Sequence, residues 1–137
     1  MLADIAPPVT EPSWMSFAHQ PDIAIVSLRG ELDVFGAPAL RAGLLEELDA
    51  GRSCVVDLRA VEFIDSAILG ALLAAKHRAA GDGLALVLVI DPEQTAVTRA
   101  VDGSRLRFEQ ACTLTSALLR VHQLADGGAV QPLAATG

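Results

Sequence analysis

The chain has 137 residues, is 52% hydrophobic and carries a formal net charge of −7, which is enough apolar content for one packed domain. That acidic balance excludes non-specific nucleic-acid binding, which needs clustered Lys and Arg to release counterions from phosphates, and it disfavours an anionic membrane surface. The longest apolar run, Ala67 to Ala75, is nine residues, against the roughly 20 that a membrane-spanning helix needs.

No basic residue precedes Arg29, so the basic region of a secretory signal is missing. Cys54 and Cys112 match no metal-ligand spacing and no disulfide framework. They read as reduced thiols of a cytoplasmic protein, with a bridge between them left open by sequence alone.

In chain order, residues 1–13 carry Pro7, Pro8 and Pro12 without periodicity and are expected to form a flexible lead-in. The domain is expected over 14–125. A short edge strand falls around Met15–His19 and a firmer one at Ile23–Arg29, bordered by Pro21 and Gly30. Pro38 then sits where a first helical residue is pre-organised, and Leu40, Leu44 and Leu48 recur at helical spacing up to Gly51. Cys54–Leu58 reads as a short strand, and Ser66 to about Ala80 as a second helix.

Leu84–Ile90 is apolar on both faces, as a strand covered from both sides must be. Asp91, Pro92 and Gln94 have the spacing of a capping box opening a third helix. A last strand is expected at Leu106–Glu109. A fourth helix starts at Thr113, with Leu114, Ala117, Leu118, Val121 and Leu124 on its apolar face. Residues 126–137 read as a frayed tail. Strands alternating with helices predict an α/β fold: a mixed, largely parallel sheet of four to five strands with about four helices.

Function in such sheets gathers where strand C-terminal ends meet helix N-termini. Two segments fall there, Gly30-Glu31-Leu32-Asp33 and Phe63-Ile64-Asp65-Ser66, bringing three carboxylates and a serine to one rim. Asp65 or Ser66 has the plain role of a helix cap open to it. Against that, positions 66, 70, 73, 74 and 77 share one side of the helix, kept low by Gly70 and Ala74. A glycine inside a helix costs about 1 kcal/mol relative to alanine, so Gly70 implies a close-approaching partner. A phosphate on Ser66 would bring roughly −1.5 to −2 charges. It would be tolerated at a helix N-terminus and repelled by Glu31, Asp33 and Asp65.

Other chemistry is poorly supported. A nucleophilic serine needs a histidine base and an orienting acid, but His77 is three turns from Ser66, and His19 and His122 lie on other elements. A phospho-accepting aspartate at Asp57 or Asp65, with Mg²⁺, lacks the expected late lysine, because the single lysine, Lys76, is mid-helix. No phosphate-cradling glycine motif occurs, so no cofactor is expected. Asp57 has the plain role of stabilising a loop, and Glu46-Glu47 that of a solvated helix face.

Arg29-Gly30-Glu31-Leu32-Asp33, Ala37-Pro38-Ala39-Leu40, Val56-Asp57-Leu58 and Phe63-Ile64-Asp65-Ser66 together resemble, in order, the STAS domain of bacterial anti-sigma factor antagonists. The likeness runs from about residue 15 to 123. It implies a STAS-like fold and a regulator that is not an enzyme. Such a regulator binds an anti-sigma factor that is also a serine kinase, is inactivated by phosphorylation at Ser66 and is restored by a serine phosphatase. The implied partner surface is Glu31, Asp33, Asp65, Ala67, Ile68 and Gly70. The family typically reads D-S-x-G-x-G, and here Ile68 replaces the first of those glycines. Placed beside the phospho-acceptor, it is expected to block a kinase, change the partner or add an apolar anchor. The alternative is a STAS subunit of a signalling or lipid-transport complex that is not phosphorylated.

Overall fold

The structure, a computed structural model, describes residues 12–136, with side chains through 125. Its five strands are β1 (Met15–Gln20), β2 (Ile23–Leu32), β3 (Ser53–Ile64), β4 (Leu86–Val89) and β5 (Glu109–Ala111). The helices are α1 (Ala37–Asp49), α2 (Ser66–Gly81), α3 (Thr95–Gly103) and α4 (Leu114–Thr136), and a 3-10 turn spans Val34–Gly36. The sheet runs β1-β2-β3-β4-β5 in order. β1 is antiparallel to β2 and every other pair is parallel, which is the expected mixed, largely parallel α/β sheet.

This order dictates the layering. Crossovers of one hand that always step in the same direction put their helices on the same face. Leu40, Leu44 and Leu48 of α1, Ile68, Leu72 and Ala75 of α2, and Val97 and Val101 of α3 accordingly share one core with Val26, Val56 and Leu88 of the sheet. The opposite face, with Ile23, Val55, Val87 and Val89, is closed by Ala117 and Val121 of α4. Each fully buried Leu or Ile contributes roughly 1.5–3 kcal/mol of burial free energy.

Several boundaries differ from the sequence expectation. β3 runs to Ile64 rather than stopping at Leu58, through an irregularity in which Ser27 pairs with Asp57 but Arg29 pairs with Ala60. The side chain of Gln94 holds that detour: its Nε2 donates to the carbonyls of Leu58 (2.9 Å) and Val61 (2.8 Å). The Asp91–Gln94 box therefore forms, with Gln94 Oε1 accepting from Asp91 N and Asp91 from Glu93 N, but it closes a turn, and α3 starts only at Thr95.

The last strand is Glu109–Ala111, not Leu106–Glu109. Leu106 and Phe108 instead pack onto the core from the link before it. Thr113 caps α4, its Oγ1 accepting from Ser116 N at 3.0 Å. The backbone of α4 continues to Thr136, past the end expected for the domain at 125. The lead-in expected over 1–13 lies outside the described residues up to residue 11. The side chains of the tail expected over 126–137 also lie outside them.

Candidate functional site

The C-terminal ends of β2 and β3 lie side by side, with Glu31 in register with Phe63 and Leu32 with Ile64. Gly30 reaches this edge at φ +85°, a backbone conformation that disfavours any side chain, just where the register shifts before Glu31. Asp65 N donates to Leu32 O at 2.9 Å, which holds Asp33 and Asp65 next to each other. Asp33 caps the 3-10 turn, its carboxylate accepting from Phe35 N at 3.1 Å. Asp65 is the N-cap of α2, accepting from Ala67 N at 2.8 Å.

Ser66 is the first residue of α2 and is exposed. The helix is already capped by Asp65, and among the described residues the Ser66 hydroxyl makes no hydrogen bond. The plain role of a cap therefore falls to Asp65 alone. Glu31, Asp33, Asp65 and Ser66 come together on one rim, as the sequence led one to expect. Gly70 is exposed one turn further on, Leu73 and Ala74 are half-buried and His77 is exposed, so that side of α2 faces outward.

Ile68 is a correction. Its side chain is 0% exposed and belongs to the core beneath α1 and α2, so it presents nothing to a partner. In this chain the branched side chain at the position of the family's glycine fills the interior. Ala67 is half-buried.

Two apolar residues by the rim, Val34 and Phe35, escaped the sequence reading, and Phe63 was placed there only as part of a segment. Phe35 is 87% exposed, Val34 51% and Phe63 49%, which makes three of the four large apolar side chains so exposed among the described residues. The available signal was the apolar pair Val34-Phe35 between Asp33 and Gly36, in a stretch with neither strand nor helix periodicity. Beside them, among the described residues, lie open depressions of about 550 and 450 Å³, both bordered by Trp14 and Glu31. A sheet whose strands follow in sequential order has no reversal at which a ligand crevice forms.

The remaining candidates are placed elsewhere. Burial disfavours the charge of Asp57, but three hydrogen bonds from Arg59 and its positive charge outweigh this and hold the carboxyl below its usual range. Asp57 thus stabilises the β3 detour. Glu47 is buried rather than solvated, and both His19 Nε2 and Arg52 Nη1 meet its Oε1 at 3.0 Å. Burial, followed by the charge of Glu47, pushes the Cys54 thiol up to about 12. Cys54 is in register with Leu86, whereas Cys112 follows Ala111, which is in register with Val89. That separation is roughly 10 Å both along and across the strands, beyond the ~7 Å Cα limit for a disulfide. Among the described residues no three His, Cys, Asp or Glu side chains converge as a metal site, and no helix is long and apolar enough to cross a membrane.

The mixed α/β sheet, with Glu31, Asp33, Asp65 and Ser66 at one rim, defines the fold class. The family model of STAS_2, described as "Mlab, STAS domain", matches residues 15–132, and the chain belongs to this STAS family. No curated protein is significantly similar to it in sequence. Among solved structures, an anti-sigma factor antagonist from Mycobacterium paratuberculosis is 28% identical with TM-score 0.65, over 79% of this chain and 92% of the other. A variant of RsbS from Moorella thermoacetica is 25% identical with TM-score 0.68, over 83% and 99%. The anti-sigma factor antagonist SpoIIAA in its unphosphorylated form, at 18% identity and TM-score 0.62 over 79% and 97%, shares the fold.

Proposed function

We propose that the chain is an anti-sigma factor antagonist which binds a kinase-type anti-sigma factor and is switched off by phosphorylation at Ser66. The observation that carries this reading is the division of labour at the start of α2. Asp65 does the capping, and the neighbouring Ser66 hydroxyl stays exposed with no bond to make within the described chain. In the transfer, Ser66 Oγ forms a bond to the γ-phosphorus of ATP held by the partner, the bond to ADP breaks and a base on the partner takes the hydroxyl proton. This chain's part is to present the oxygen on a rigid helix start.

A phosphate there would be stabilised within this chain by the helix N-terminus. Glu31, Asp33 and Asp65 already make the rim acidic, so basic partner groups matching those carboxylates are committed before modification. The phosphate then enters the contact bulky, hydrated and uncompensated, which breaks it. The likeness to antagonists from Mycobacterium paratuberculosis and to RsbS supports this reading.

One observation favours a second reading, in which the chain is an unphosphorylated subunit of a larger complex: the matching family is described by Mlab and not as antagonists. The test is incubation of the purified chain with each kinase-type anti-sigma factor of the same organism and MgATP, followed by intact mass and binding measurements. The switch predicts a gain of one phosphate that is absent in Ser66→Ala, and binding that Ser66→Asp loses. Equal binding of both variants to one complex, with no phosphate transferred, supports the subunit role.

A further inference from the structure

We infer that Phe35 is the aromatic anchor of the partner contact, inserted into an apolar pocket whose border on the partner carries Lys and Arg side chains. This deepens the protein-binding reading of the rim and rests on it, but not on phosphorylation of Ser66.

Phe35 is 87% exposed, although the backbone that carries it is held in place. The 3-10 turn that carries it is closed by Asp33 on one side, runs directly into α1 on the other and packs against α2. Presenting an aromatic ring in a preset position lowers the ordering cost of binding, and rigid aromatic side chains dominate interface hot spots. Val34 beside it and Phe63, in register with Glu31 on the neighbouring strand, are also exposed. Patches of this kind on a soluble domain mark contact sites.

The charges around the patch name the partner's border. Glu31, Asp33, Glu62 and Asp65 form no ion pair among the described residues, whereas Glu47, Asp49, Asp57, Asp82 and Glu109 each face an arginine. Four carboxylates against one cation, Arg29, which shares a depression with Glu31 and Glu62, leave this edge acidic and complementary to a pocket edged with cations. Such charges govern association rate and register more than final affinity.

The experiment uses the full chain with a photo-crosslinking phenylalanine analogue at position 35, 63 or 119, Leu119 being an exposed apolar residue (58%) on α4. Crosslinks are formed in native cells and mapped by mass spectrometry, and the captured protein is then titrated with wild type, Phe35→Ala, Leu119→Ala and Ser66→Asp. Positions 35 and 63 are expected to crosslink to apolar residues of one protein that have Lys or Arg within the same pocket. Phe35→Ala should weaken binding at least tenfold with unchanged circular dichroism, Leu119→Ala less than twofold, and association should slow as NaCl rises.

Absence of crosslinks from position 35, unchanged affinity of Phe35→Ala, or crosslinks only to a second copy of this chain overturns the inference. A neutral Ser66→Asp beside a damaging Phe35→Ala removes the phosphorylation switch and leaves the anchor. The reverse pattern removes the anchor and leaves the switch.

Discussion

The two ends of the sheet are built on opposite terms. At the end where β3 begins, several charged and polar side chains are matched inside the chain. Glu47 holds His19 and Arg52, Arg78 joins Asp49 and Asp82, and the buried Ser53 hydroxyl accepts from Ala85 N at 3.0 Å. At the other end the carboxylates of Glu31, Asp33, Glu62 and Asp65 form no ion pair among the described residues, and Val34, Phe35 and Phe63 are exposed. Folding alone would favour the first arrangement at both ends. The second makes sense where a partner completes what the chain leaves open, so the contrast locates function more firmly than any single motif.

The largest effect expected in breaking that contrast comes from Ile68, which lies under the rim but belongs to the core. Ile68→Ala should destabilise the fold by about 3 kcal/mol, within the range for large-to-small core changes. Partner affinity should hold well below the melting temperature. Urea denaturation paired with a binding titration checks both, and loss of affinity in a folded Ile68→Ala would return this residue to the interface. Next, at the closed end, Glu47→Gln leaves Arg52 facing a neutral amide in a buried setting. It should cost about 2 kcal/mol, below the full figure for a buried pair because Arg52 and His19 are partly exposed; partner binding should be untouched. Denaturant midpoints of the two variants, measured together, place stability at one end and recognition at the other.

Much of this was legible in the sequence, for identifiable reasons. The helices of 37–49 and 66–81 announced themselves through leucine spacing, and β4 through an apolar run that only a doubly covered strand tolerates. The rim followed from topology, since Asp33 and Asp65 each end a strand. What escaped depended on the third dimension. Nothing local tells that β3 survives the detour at Arg59, because Gln94, 33 and 36 residues from its partners Val61 and Leu58, supplies the hydrogen bonds that hold it. Ile68 looked like a surface residue because a family pattern places glycine there, and only the packing of α1 on α2 shows it inside. Phe35 was overlooked for the opposite reason, since an isolated aromatic in a turn is ordinarily buried.

A smaller effect concerns Asp57, midway between the two ends. Its folded pKa is lowered, so its stabilising pair with Arg59 is fully present above the unfolded value of about 4 and is lost as pH falls through the folded value. Arg59 is partly exposed, which limits the contribution to about 1 kcal/mol or less. Urea titrations of wild type and Asp57→Asn should show a gap at pH 7 that narrows progressively below about pH 4. A gap that persists undiminished in acid would mean that a difference other than the charge of Asp57 separates the two variants.

The smallest change has the opposite sign and returns to the rim. A Cβ built on Gly70 meets nothing within 4 Å, so no contact within the described chain requires a glycine there. Gly70→Ala should therefore stabilise the isolated chain by about 0.5–1 kcal/mol through helix propensity. If the exposed side of α2 continues the contact surface from Phe35 and Ser66, the added methyl should also weaken partner binding several-fold, raising stability and lowering affinity in one substitution. Unchanged affinity would confine the open end to the strand tips and the 3-10 turn, and would leave Gly70 as an unoptimised position on a solvent-facing helix.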